Sequence, residues 1–195
     1  MRPEVLRRAV REKYRNTTTP PIGRFPYPVG RPSAIGLGYE PEWLDRIPDG
    51  VVDRFVGVGN PFTVARPGAG QRVLDVGCGC GLDVCVASLL VGPAGHAVGI
   101  DLTPEMASYA AGALPDRAPP NIEFMTADVE SLPFKGDTFD LVISNGALNL
   151  TPDKDRAFRE IARVLRRGGR LATTDLLVRE AVPAEVIANL DAWST

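Results

Sequence analysis

Nine consecutive residues, Val73-Leu74-Asp75-Val76-Gly77-Cys78-Gly79-Cys80-Gly81, constrain this chain more than any other feature. Arg72 to Val76 reads as a short buried strand. Three glycines at alternating positions follow it, and Asp83 to Val91 then reads as a helix closed by Gly92-Pro93. A strand that ends in backbone without Cβ atoms, directly before a helix, lets a ligand approach the main chain closely. The glycines alone fit a tight strand–helix turn with no ligand equally well. In the usual dinucleotide fingerprint the third glycine stands five positions after the first and makes space for a pyrophosphate. Here that position is Leu82 and the third glycine is Gly81. The spacing counts against a nicotinamide dinucleotide and for a cofactor without a pyrophosphate.

The rest of the chain from Arg72 alternates in the same way. His96 to Asp101 reads as a second strand. Thr103 caps a helix that has Pro104 at its first position and runs from Glu105 to about Leu114. Ile122 to Thr126 is a third strand. Phe139 to Ser144 is a fourth, after the turn Lys135-Gly136-Asp137. An amphipathic helix from Asp153 to Leu165, stopped at Gly168-Gly169, precedes a fifth strand from Arg170 to Val178. Strands alternating with helices imply βαβ units, hence an α/β, Rossmann-like, mostly parallel sheet with helices on both faces. Residues 1–70 differ in character and hold 10 of the 18 prolines. Glu4 to Tyr14 reads as a short helix, Thr17 to Pro48 is too rich in Pro and Gly for a long element, and Asp49 caps a helix beginning near Gly50. The expected organisation is an N-terminal helical, Pro-rich cap or lid over 1–70 on a core over 71–195.

Composition narrows the setting. The 195 residues fit one domain. Hydrophobic residues are 44% and charged residues 24%, as in globular proteins that live in water. No apolar run approaches the roughly 18–20 residues a bilayer span needs, and Met1-Arg2-Pro3-Glu4 does not open a secretory signal. The cysteines, Cys78, Cys80 and Cys85, are odd in number and clustered, which favours a reducing cytoplasm over a disulfide framework. Residues 1–31 carry eight basic and two acidic side chains although the whole chain is net −2. A solvated helix face explains this arm better than nucleic-acid binding, because no aromatic stacking pattern accompanies the charge.

Three further sites follow the strands. Asp101, 24 residues after Gly77, stands at the carboxyl end of the second strand, where an acid accepts the hydroxyls of a ribose. The simpler alternative is an acid serving the helix dipole. Asp128 directly follows the third strand. It could accept from an exocyclic amine while the N–H of Val129 reaches a ring nitrogen, or it is an ordinary loop acid. Asn145 and Asn149 follow the fourth strand, where they position a substrate or make a turn. His96, the single histidine, reads as a surface strand residue.

Taken together, Asp75-Val76-Gly77-Cys78-Gly79-Cys80-Gly81, Gly99-Ile100-Asp101, Ala127-Asp128-Val129 with Leu132-Pro133-Phe134, and Leu165 through Leu171 resemble the class I S-adenosylmethionine-dependent methyltransferases. The likeness covers about Gln71 to Asp175. Asp101 through Met106, Ile143 through Lys154, and the upstream Val58-Gly59-Asn60-Pro61 and Val10-Arg11-Glu12-Lys13-Tyr14 are similar to arsenite methyltransferases and their relatives. The resemblance implies S-adenosylmethionine as cofactor and methyl transfer to a small-molecule acceptor. It implies that Asp75, Gly77, Gly79 and Gly81 belong to the cofactor loop, with the glycines against the methionine part and ribose. Asp101 holds the ribose hydroxyls, Leu102 packs on adenine, Asp128 meets the adenine amine, Val129 meets the ring nitrogen, and Asn145 lines the methyl end.

Two departures bear on function. The family's arsenic-binding thiolate positions read Val58 and Gly146-Ala147-Leu148 here, and no cysteine follows Cys85, so arsenite is not expected as acceptor and no metal site is expected. The class closes its sheet with a β6–β7 hairpin, whereas only Ala181 to Thr195 remain, with a helix start at Pro183-Ala184-Glu185. An uncovered sheet edge predicts self-association and keeps open a truncated or degenerate domain that binds cofactor or a partner without turnover. No general base is evident. In-line displacement tolerates this, since positioning alone supplies about 7–11 kcal/mol of a barrier.

Overall fold

The computed structural model describes residues 3–15, 28–114 and 121–177. Upstream of the sheet lie α1 (Pro3–Arg15), α2 (Gly30–Gly36), α3 (Pro41–Leu44) and α4 (Asp49–Val52). Then come β1 (Arg72–Val76), α5 (Leu82–Val91), β2 (His96–Asp101), α6 (Pro104–Ala113), β3 (Ile122–Thr126), β4 (Phe139–Asn145), α7 (Lys154–Val164) and β5 (Leu165–Thr174). The five strands form one sheet in the order β3-β2-β1-β4-β5, and every pairing is parallel. The order runs one way from β1 to β3 and the other way to β4 and β5. That reversal opens a crevice beyond the carboxyl ends of β1 and β4.

Burial explains both faces. Val73, Leu141, Ile143 and Ala172 point into the same core as α5 and the aromatic residues Tyr39, Trp43, Phe55 and Phe62. Leu74, Val76, Val98, Ile100 and Val142 face the other way, against Ile161 and Val164 of α7. Helix α5 is almost wholly buried and correspondingly apolar all round. Helix α7 buries only Ala157, Ile161 and Val164, spaced i, i+4 and i+7, and the Asp153 carboxylate caps it by accepting from Arg156 N at 3.0 Å.

The structure corrects several local expectations. Gly168-Gly169 do not stop α7, which ends at Val164. β5 begins immediately at Leu165 and ends at Thr174, before Asp175. The glycines lie where the ladder breaks step, with Leu165 opposite Phe139 but Arg170 opposite Leu141. Gly168 there takes φ +78°, which favours glycine. Asp49 is the first residue of α4 rather than its cap, and its carboxylate meets Arg31 at 3.3 Å. Thr103 occupies the N-cap position of α6, but its side chain caps no helix N–H. Val178 and the expected helix start at Pro183-Ala184-Glu185 lie outside the described residues. Among the described residues, no helix is long and apolar enough to cross a membrane.

Candidate functional site

One cleft opens at the sheet's carboxyl ends. Its walls include Gly77 and Gly79 after β1, Asp101 at the end of β2 with Leu102 next to it, Asp128 and Val129 after β3, and Asn145 at the end of β4. Together with its open mouth it spans about 1120 Å³ of space continuous with solvent. The four loops meet because parallel strands all end on the same side of the sheet. Helix α1 closes one flank with Arg7, Val10 and Tyr14.

The glycine loop is shaped by what surrounds it. At Gly77 (φ +75°) a Cβ would lie 2.2 Å from the Ala147 Cβ, so the loop after β4 can sit against β1 only because that atom is missing. At Gly79 (φ +52°) the nearest atom to a Cβ would be Met106 Cε at 3.8 Å. Gly79 therefore presents bare backbone to open cleft. Gly81 lies farther round and lines a smaller adjoining cavity with Arg54, Asp83 and Asn145. Asp75 lines neither cavity. It is buried at 2% exposure beneath the loop, and burial, reinforced by Asp83 and Asp101, pushes its carboxyl well above the usual range.

Asp101 ties two loops together. Its Oδ2 accepts from Gly79 N at 3.0 Å and its Oδ1 from Thr103 N at 2.8 Å. Burial raises its pKa while these bonds oppose the shift. The Thr103 side chain also bonds this carboxylate, which with four lone-pair sites keeps room for a further donor. Asp128 accepts from Glu130 N through Oδ1 and from Arg7 Nε through Oδ2, both at 2.9 Å. Glu130 is buried at 3% and shares the same guanidinium through Oε2, while its Oε1 accepts from Asp153 N at 3.0 Å.

Asn145 lines the cleft, but its amide is fully engaged in holding the wall. Oδ1 accepts from Val58 N (2.9 Å), Gly59 N (3.1 Å) and Thr174 Oγ1 (3.0 Å). Nδ2 lies within bonding distance of Gly59 O (2.8 Å), Asp83 Oδ2 (3.1 Å) and the Tyr39 hydroxyl (3.2 Å). Tyr39 in turn donates to Asp83 Oδ1. Burial raises the Asp83 carboxyl to about 6, against the lowering effect of the Tyr39 and Asn145 bonds. Sequence reasoning missed Tyr39, Asp83, Arg7 and Glu130. The one local signal was an acid at the start of an otherwise apolar helix, and Asp83 there reads as a helix-start residue.

The far end of the cleft is apolar, with Val56, Val58, Ala147, Leu150 and Pro152. Asn149 also lies there, and its N–H donates to Asp175 Oδ2 at 3.0 Å. Its Oδ1 is the one buried side-chain oxygen or nitrogen among the described residues that no protein group satisfies. Cys78, Cys80 and Cys85 are free and buried, and burial raises all three thiols, Cys80 and Cys85 to about 12.

Comparison with known proteins places this arrangement. The methyltransferase domain family matches residues 67–195. An arsenite methyltransferase from Halobacterium salinarum is 39% identical over 155 residues, which is 80% of this chain and 39% of that protein. A ubiquinone/menaquinone biosynthesis C-methyltransferase from Hahella chejuensis is 45% identical over 114 residues, 56% of this chain and 45% of that one. In three dimensions the chain is similar to an arsenic(III) S-adenosylmethionine methyltransferase from Chlamydomonas reinhardtii, with TM-score 0.64 and 32% identity over 83% of this chain and 54% of that one. The chain spans under half the length of these two curated relatives. It belongs to the methyltransferase domain family, and within it to the class I enzymes that use S-adenosylmethionine.

Proposed function

We propose that this chain transfers a methyl group from S-adenosylmethionine to a small, largely apolar organic acceptor whose attacking atom arrives with its lone pair free, as a thiolate, a phenolate or a neutral amine, so that its proton has already gone to solvent or leaves to solvent after transfer. The observation that carries the reading is the convergence of Gly77, Gly79, Asp101, Leu102, Asp128 and Val129 on a single cleft. The cradle fits the cofactor, because Gly79 leaves open the space that a Cβ would fill. Bound there, S-adenosylmethionine supplies a sulfonium methyl open to in-line attack.

The residues then divide the work. Asp101 accepts the ribose hydroxyls with its remaining lone pairs, and Leu102 covers a face of the adenine. Asp128 accepts from the adenine amine, and Val129 N donates to a ring nitrogen. Gly77, Gly79 and Gly81 bring backbone against the methionine part, with Asp75 beneath them. Asn145 lines the methyl end and holds its wall in place. Among the described cleft-lining residues there is no histidine, cysteine or lysine at the acceptor end. The protein orients the acceptor and excludes water rather than deprotonating it. Val58 and Ala147 are apolar where a soft metalloid would need thiolates, and the buried cysteines stay protonated. The free thiols support a cytoplasmic place of work.

Titration calorimetry with S-adenosylhomocysteine and NAD, followed by methyl-transfer assays on arsenite and on phenols and thiols, tests this. The expected result is binding of the adenosyl ligand alone and no methylarsenic product. NAD binding would overturn the cofactor, and robust arsenite methylation would overturn the acceptor class.

A further inference from the structure

We infer that Arg7 is a positioning residue of the cofactor site: from a helix outside the matched domain it fixes the Asp128 carboxylate, and so sets a preference for a 6-amino over a 6-oxo purine. The inference rests on the cofactor reading above.

From sequence alone the basic N-terminal arm reads as a solvated helix face. The structure spends one of its charges with unusual economy. α1 buries Leu6 and Val10, and Arg7 lies between them on the flank of the cleft. Its guanidinium bridges two carboxylates of one turn, with Nε on Asp128 and Nη2 on Glu130. The two acids differ. The Glu130 side chain is 4% exposed and also receives Asp153 N, so it is a buried anchor for Arg7. The Asp128 side chain is 32% exposed and lines the cleft, so it is the ligand-facing member.

A half-exposed carboxylate on a turn can rotate. Glu130 N holds Oδ1, and Arg7 Nε on Oδ2 completes a two-point restraint that sets its plane. A planar guanidinium locked on a second, buried acid does this better than a point charge. An ionised carboxylate is acceptor-only. Held in one orientation, it accepts from a 6-amino group and repels the lone pairs of a 6-oxo group. Released, it can turn away from the 6-oxo group and discrimination falls.

The test measures affinity of the full chain for S-adenosylhomocysteine and S-inosylhomocysteine, and reads the ratio of the two. A merely structural loss of α1 weakens both ligands alike and leaves the ratio unmoved. Wild type should prefer the adenosyl ligand by about tenfold or more. Arg7→Gln should cut that ratio by about fivefold, Arg7→Lys should fall between the two, and Arg11→Gln on the exposed side of α1 should match wild type. An unchanged ratio in Arg7→Gln overturns the inference while leaving the cofactor reading intact, even if both affinities drop. Should Arg7→Gln fail to fold, Arg7→Lys decides, and a wild-type ratio there overturns the inference. Wild type that binds both ligands equally overturns the base-reading role of Asp128 and this inference with it. Wild type that binds neither overturns the cofactor reading itself.

Discussion

Residues 28–70 and helix α1 both wall the cleft, yet opposite chemistry holds them. The first segment joins the sheet's own core. Tyr39 packs edge-on to Phe55 at 5.2 Å, Trp43 packs on Phe62 at 5.9 Å, and Asn145 of β4 binds the backbone of Val58 and Gly59. Helix α1 contributes two buried apolar side chains, Leu6 and Val10, and the Arg7 bridge. An element continuous with the core opens only when the domain unfolds, whereas one held by a few local contacts opens alone. The contrast predicts that residues 28–70 stay closed while α1 opens more readily, and α1 carries the arginine that touches the acid proposed to read the base.

The strongest test of the wall built by residues 28–70 is Asn145→Ala. It takes the acceptor from Val58 N and Gly59 N in a half-buried place and one donor from the buried Asp83 carboxylate, so the chain should lose about 3 kcal/mol in urea denaturation. Loss below about 0.5 kcal/mol would show that the aromatic cluster alone holds residues 28–70. Asp101→Ala sharpens the contrast from the sheet side. It should weaken S-adenosylhomocysteine binding by about 2 kcal/mol in calorimetry, because a ribose hydroxyl loses a charged partner. Both walls should stay closed, and wild-type affinity would remove the ribose role.

Tyr39→Phe probes the same wall more gently and carries a sign in pH. A phenyl ring fits beside Phe55 and Phe62, so the cost, about 1.5 kcal/mol, is that of the lost hydroxyl bonds, chiefly the one to Asp83. That bond favours the ionised carboxyl. Burial raises Asp83 from 3.8 to about 6, so between those values the folded chain holds a proton that the unfolded chain has released. Stability therefore falls as pH rises through that window and levels off above it. Without the Tyr39 hydroxyl the raised value climbs further and the fall continues upward. The variant's deficit in urea midpoint should be smaller at pH 5 than at pH 8, and the reverse order would mean that Asp83 is not the partner that matters.

The contrast between the walls also marks where local sequence stops informing. β2 begins and ends where its apolar run does, because a strand buried on both faces between Gly and turn residues advertises its own limits, and the half-exposed edge strand β3 also keeps its expected bounds. The glycine turn and the acids after β2 and β3 are legible for the same reason, since topology sends every parallel strand end to one side. β5 is not. Its start depends on Leu165 finding Phe139, a register that Gly168-Gly169 conceal by looking like a helix stop. The wall contacts are less visible still. Arg7 meets Asp128 from 121 positions away and Tyr39 meets Asn145 from 106. No window of sequence pairs such residues. An arginine in a basic arm reads as one solvated charge among eight, and a tyrosine between Gly38 and Glu40 reads as loop.

The smallest effect concerns salt, and it asks whether charge or apolar contact holds α1. Raising ionic strength from 0.05 to 1 M shrinks the Debye length from above 10 Å to about 3 Å. The Arg7–Asp128 contact is open to ions, with side chains 23% and 32% exposed, while the Glu130 oxygen beside it is shielded. Only the outer half of the bridge should weaken, by about 0.5 kcal/mol. In hydrogen exchange, amide protection within α1 should drop about twofold, the change that this energy corresponds to. The Val58 and Gly59 amides, bound to the uncharged, half-buried Asn145 amide, should not change. Sodium chloride strengthens apolar burial only slightly, so it does not mask the loss. If α1 protection instead rises with salt, Leu6 and Val10 carry the helix, and the difference between the two walls is one of amount rather than kind. If Val58 and Gly59 lose protection in step with α1, the two walls open together and the distinction fails.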